Sequence, residues 1–225
     1  MGYSMLMNWR KFRGVIVSVL DIILPRRDRT VRAENWTIED LAVSPHTHDA
    51  CGVRITTILD YRTPAVEDCI RALKYDGSSR SAELLAEALA DYLREEIAQA
   101  RSFSVRPVLL VPIPLYKARE RERGFNQVEA VLEKLPKEFL DGTLASLAPK
   151  SLARIRETKQ QTKLSREERL KNMKNAFSVP NAEAVRDTHV FLIDDVTTTG
   201  ATLAEAASPL RKAGAEVSAL ALARA

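Results

Sequence analysis

Aromatic residues make up only 6% of the chain, which argues against a row of stacking platforms for nucleobases. Cysteine occurs twice, at Cys51 and Cys69, too few for a disulfide framework or a four-cysteine zinc site. Two structural thiols fit a reducing compartment, so a cytoplasmic protein is expected. No run approaches the about 18 apolar residues that a membrane-spanning helix needs. The longest, Val15 to Leu24, is interrupted by Asp21 and is followed by Pro25-Arg26-Arg27 instead of the small residues of a signal cleavage site. That segment is read as a helix docked on the body, with no stable membrane insertion. Neither sign of charge dominates: 34 basic and 30 acidic residues leave a net charge of +4. A mild excess of this kind suits an anionic small ligand or a modest nucleic-acid surface.

What remains is ordinary for a folded chain: 225 residues, 45% hydrophobic and 28% charged. A chain of this length buries roughly 70% of the surface it would expose unfolded. Two regions are expected. Residues 1–50 form a basic N-terminal extension, with a helix, an irregular connector and a short helix at 37–41. The first 32 residues carry seven basic side chains against two acidic ones. Residues 51–225 form one α/β domain with a mostly parallel central sheet flanked by helices. Strands are predicted at Val53–Tyr61, Val108–Val111, Leu144–Leu147, Val190–Ile193 and Val217–Ala223, from β-branched alternation or wholly apolar runs. Helices are predicted from Pro64 to Tyr75, Ser81 to Ala98, Val128 to Leu135 and Thr202 to Ala213, the last closed by Gly214. Lys117 to Gln127 reads as a charged turn.

The segment with the most chemistry is Val190 to Thr202, VFLIDDVTTTGAT. A buried apolar strand delivers Asp194 and Asp195 to its carboxyl end, where open α/β sheets bind ligands. Val196, Thr197, Thr198, Thr199, Gly200, Ala201 and Thr202 form the turn into the next helix. Hydroxyls, a glycine and free backbone N–H groups at a helix N-terminus make an anion cradle. Capping that helix needs only one Asp or Thr, so it leaves the paired carboxylates unexplained. Two adjacent carboxylates can accept hydrogen bonds from vicinal hydroxyls. A ribose 5-phosphate offers that combination of groups.

The same segment closely resembles the signature of type I phosphoribosyltransferases. Further motifs narrow the likeness: Leu73-Lys74-Tyr75-Asp76-Gly77, the run VPIPLYKARERERGFNQ from Val111, Arg154-x-Arg156-x-Thr158-x-x-Gln161, and Ala176-Phe177. In this order they are similar to the ComF family, phosphoribosyltransferase-like proteins linked to competence and DNA uptake, over roughly 53–225. The resemblance implies a type I phosphoribosyltransferase fold. It also implies that Asp194 and Asp195 hold the ribose hydroxyls of phosphoribosyl pyrophosphate (PRPP), and that residues 196–202 hold its 5-phosphate. Mg²⁺ is expected to arrive with PRPP near Asp194 and Asp195. ComF proteins usually begin with a zinc module built on CxxC pairs. This sequence has no CxxC, and His46-x-His48-x-x-Cys51 lacks a fourth nearby ligand, so no zinc is expected.

Three more segments complete the expected site. Pro112-Ile113-Pro114 follows a buried strand, where the fold places its pyrophosphate loop, often with an unusual peptide bond. Arg119 and Arg123 are assigned to pyrophosphate, while Arg121, between Glu120 and Glu122, is assigned to the solvated surface. Residues 150–174 hold nine basic side chains against three acidic ones. There Arg156, Thr158, Lys159, Gln161 and Lys163 are read as a flexible basic hood that closes over pyrophosphate, Arg156 and Lys163 acting in catalysis. The leading expectation is Mg-dependent phosphoribosyl transfer to an unidentified acceptor, in nucleotide metabolism or competence. The alternative is a non-catalytic module that senses PRPP or handles single-stranded DNA. A homo-oligomer is left open.

Overall fold

The computed structural model describes residues 28–156 and 175–225. A six-stranded sheet organises them. Its strands are β1 (His46–Ala50), β2 (Val53–Asp60), β3 (Val108–Pro112), β4 (Ser146–Leu147), β7 (His189–Thr197) and β8 (Glu216–Arg224), in the order β1-β2-β8-β7-β3-β4. Edge strand β1 runs antiparallel to β2, and every other pairing is parallel. A separate pair, β5 (Ala153–Arg154) with β6 (Phe177–Ser178), lies outside this sheet. This is the α/β architecture with a mostly parallel sheet that the resemblance implies.

Alternation along β7 feeds two cores. Phe191 and Ile193 point into one cluster, and Val190 and Leu192 into the other. The first cluster lies under α2 (Pro64–Asp76), α3 (Ser79–Phe103) and α5 (Gln127–Leu132); the second lies under α6 (Ala201–Lys212). Helix α2 starts on Pro64, whose missing N–H costs nothing at that position. It stops at Gly77, whose φ of +64° turns the chain back and lets its N–H reach the Ala72 and Leu73 carbonyls. Ser78 then caps α3, its hydroxyl accepting from Ser81 N at 3.2 Å. Leu85, Leu89, Leu93 and Ile97 form the buried stripe of α3. Full burial of such a side chain contributes about 1.5–3 kcal/mol.

Residues 28–50 differ from the expected irregular connector. Asp28–Asn35 is a helix, α1, and its Ala33 sits in the first core together with Leu41. Arg32 clamps α1 to α2 with a fork on Asp68, Nε to Oδ2 and Nη2 to Oδ1 both at 2.8 Å. The short helix expected at 37–41 is a 3₁₀ turn, Glu39–Leu41. His46–Ala50, polar on both faces, is held as a strand by pairing with β2. The boundary expected after residue 50 therefore falls in the two-residue turn Cys51-Gly52, where φ is +53° and +74°. The charged turn at 117–127 is in fact a short helix, α4 (Lys117–Arg123), ended by Gly124. Among the described residues no helix is long and apolar enough to cross a membrane. The N-terminal helix expected at 15–24 lies outside the described residues.

Candidate functional site

Strand β7 continues through the two acids to Thr197. As consecutive strand residues, Asp194 and Asp195 leave on opposite faces. Asp195 turns toward α2 and α5, where its Oδ2 accepts from Gln127 Nε2 at 2.9 Å and from Lys74 Nζ at 3.3 Å. Asp194 turns toward the face that carries Arg154, which feels its charge. Each carboxylate also takes the next backbone N–H: Asp195 N donates to Asp194 Oδ1 at 2.9 Å, and Val196 N to Asp195 Oδ1 at 2.7 Å.

Beyond Thr197 the chain turns through Thr198 and Thr199 into Gly200, the residue before α6, with φ of +74°. A Cβ at Gly200 would overlap Ile55 Cδ1 and lie 2.8 Å from Ala50 Cβ. Glycine is thus needed for conformation and for space. The β1–β2 turn backs this loop, and Cys51 Sγ donates to the Thr199 carbonyl at 3.3 Å.

The motif Gly124-Phe125-Asn126-Gln127 joins this strand end to the loop after β3. Gly124 ends α4 with φ of +83°. Phe125 packs over Gly77, 3.7 Å from where a Cβ would stand. Asn126 caps α5, its Oδ1 accepting from Val128 N at 2.9 Å, and its Nδ2 donates to the Ile113 carbonyl at 3.0 Å. Ile113 N in turn donates to the Ile193 carbonyl at 2.8 Å. Gln127 accepts from Arg123 Nη1 and donates to Asp195.

These elements surround an open cleft of about 970 Å³. Asp194 and Asp195 lie on one side, with Thr198 and Thr202 beside them and Arg119, Arg123 and Arg154 on the walls. Burial pushes the Asp194 carboxyl up to about 8, and the negative charge of Asp195 adds to the shift. Burial also lowers Arg123 and Arg154, opposed by Asp195 and Asp194 respectively. Two carboxyl groups facing partly desolvated guanidiniums make a site that favours a ligand with hydroxyls at one end and anionic groups at the other.

The expected residues divide as follows. Ile113, Arg119, Arg123, Asp194, Asp195, Val196, Thr198 and Thr202 line the cleft, whereas Thr197, Thr199, Gly200 and Ala201 shape the turn behind it. Pro112 and Pro114 flank Ile113, and their preceding peptide bonds are trans, unlike the unusual geometry expected there. Arg121 is exposed on α4, while Arg119 and Arg123, four residues apart, face the cleft together. Arg156 is exposed just after β5. Thr158, Lys159, Gln161 and Lys163 lie outside the described residues. His46 and His48 share a face of β1, with ring centroids 6.1 Å apart. Cys69 is buried on the inner face of α2, and that burial raises its thiol to about 11.

Lys74, Gln127 and Arg154 also line the cleft, and the sequence reading gave none of them a role. All three fall within the motifs that carried the resemblance, which was the available signal. Arg154 is held with its guanidinium carbon 5.6 Å from the centre of the Phe177 ring.

A family model described as the phosphoribosyl transferase domain matches residues 123–224. The DNA utilization protein YhgH of Escherichia coli (strain K12) is 35% identical over 181 residues, covering 76% of this chain and 75% of that protein. Competence protein ComFC of Streptococcus pneumoniae is 31% identical over 173 residues, 75% of this chain and 66% of the relative. Competence protein F of Haemophilus influenzae is 36% identical over 111 residues, 49% of this chain and 47% of that protein.

Proposed function

Because this chain belongs to the ComF family of phosphoribosyltransferase-like proteins, we propose that its cleft binds PRPP and transfers the phosphoribosyl group to an acceptor. The observation that carries this reading is the pairing of Asp194 and Asp195 with the Thr198–Thr202 turn in one cleft walled by Arg119, Arg123 and Arg154. The 5-phosphate would lie in the turn, at the N-terminus of the twelve-residue helix α6. The ribose hydroxyls would donate to the carboxylates. Arg119 and Arg123 would hold the pyrophosphate and stabilise the charge it takes as it departs with the electron pair of the anomeric C–O bond. The acceptor would form the new bond to that carbon and lose a proton. No protein nucleophile is required.

Among the described residues no three His, Cys, Asp or Glu side chains cluster as a metal site. Two carboxylates completed by ligand oxygens nevertheless fit Mg²⁺, which is commonly held by one or two carboxylates plus substrate phosphates. Bound there by Asp194, Asp195 and PRPP, it would neutralise charge on the pyrophosphate. Both cysteines are free, and we assign the protein to a reducing cytoplasm.

The test is the double variant Asp194→Asn with Asp195→Asn, which keeps the shape and removes both ionisable carboxyl groups. It should fold and lose Mg-PRPP binding in calorimetric titration; unchanged affinity would overturn the assignment. The relatives' names, DNA utilization and competence, favour a second reading in which the basic N-terminal and 150–174 segments hold single-stranded DNA. Affinity for an oligonucleotide that falls steeply with salt, without turnover of PRPP on any base or on ammonia, would select that reading.

A further inference from the structure

We propose that Gln127 is a positioning residue that ties the pyrophosphate end of the cleft to its ribose end. The inference rests on the PRPP reading above and names the group through which the two halves of that ligand are held in register. Gln127 is the first residue of α5 and is 6% exposed. Its Oε1 accepts from Arg123 Nη1, and its Nε2 donates to Asp195 Oδ2 at 2.9 Å. A guanidinium offers only donors and an ionised carboxylate only acceptors, so one orientation of the amide serves both and the flipped one serves neither. One N–H of Arg123 is spent on Gln127, which aims the rest of the fork into the cleft. The same amide, with Lys74 Nζ at 3.3 Å and Val196 N at 2.7 Å, fixes the Asp195 carboxylate. A change in the Gln127 rotamer therefore moves the cation for one end of the ligand and the carboxylate for the other.

Few side chains can replace it. Methionine fills the space and bonds to neither neighbour. Ionised glutamate accepts from Arg123 but sets a second negative charge against Asp195.

The experiment is calorimetric titration, at a single pH, of Mg-PRPP, of pyrophosphate with Mg²⁺ and of ribose 5-phosphate into the parent, Gln127→Met and Gln127→Glu. Loss of hydrogen bonds to charged groups should weaken Mg-PRPP binding about tenfold or more in both variants. Because the amide holds both ends, Gln127→Met should weaken pyrophosphate and ribose 5-phosphate alike. Gln127→Glu keeps the bond to Arg123 and repels Asp195, so it should weaken ribose 5-phosphate more than pyrophosphate. If Gln127→Met fails to fold, that asymmetry in Gln127→Glu decides. A Gln127→Met variant that binds all three as the parent does, or a Gln127→Glu variant without the asymmetry, overturns the positioning role and leaves the PRPP reading intact. A parent that binds no Mg-PRPP overturns both.

Discussion

Replacing Gly200 with alanine should destabilise the protein through two separable effects. Backbone is the first. At φ of +74° a residue with a Cβ pays for the left-handed region, about 1–2 kcal/mol. Space is the second. The new methyl would overlap Ile55 Cδ1 and stand 2.8 Å from Ala50 Cβ. Ile55 is fully buried, and Ala50 is fixed by its pairing with Val53, so neither yields freely. Overpacking of this kind costs about 1–3 kcal/mol. The sum, about 2–5 kcal/mol, is a large part of the 5–15 kcal/mol typical of a folded domain. Urea titration should show it as a lower midpoint, and thermal unfolding as a drop of roughly 10 °C. A double-mutant cycle separates the two effects. Ala50→Gly alone should cost roughly 0.5–1 kcal/mol, as glycine does within a strand. In the Gly200→Ala background it should instead stabilise, because the rigid contact is gone. Strict additivity would show that the Ala50 contact plays no part, and an unchanged midpoint in Gly200→Ala would refute both effects.

The Asp194 carboxyl, held up to about 8, makes unliganded stability depend on pH. The fold binds a proton that the unfolded chain releases near 4, so this contribution is full below that value and is lost as pH rises through about 8. The melting temperature should therefore fall between pH 6 and 9, and Asp194→Asn should flatten that part of the profile; an equally steep variant would locate the titration elsewhere. Leu89→Ala, at a fully buried position in the middle of α3, should cost about 2–5 kcal/mol by urea denaturation. A loss near 0.5 kcal/mol would mean that α3 does not pack as described.

Local features of the fold were readable from the sequence, and tertiary ones were not. The apolar run before Asp194 marks a strand wherever it sits, and Pro64, Gly77 and Gly214 act through their own dihedrals. Arg119 and Arg123 share a helical face by spacing alone, although α4 itself was read as a turn, its charges giving no apolar period. Lys74 and Gln127 reach Asp195 from 121 and 68 residues away. Nothing in their neighbours' chemistry announces that meeting. Strand β1 was hidden for a related reason. His46–Ala50 lacks the apolar alternation of a half-buried strand and is held only by the partner beside it.

The sheet order also bears on how the chain is made. Strand β8 lies between β2 and β7, pairing Ile55 with Ala219 on one side and Leu192 with the same Ala219 on the other. Without β8, β1–β2 and the group β7, β3 and β4 are two separate half-sheets. Among the described residues no strand pairing joins them directly, so a chain lacking β8 presents two open edges, the kind that templates association with other chains. Pairings of such long sequence separation form late and slowly. Newly made chains that stall before β8 are thus expected to depend on chaperone cover.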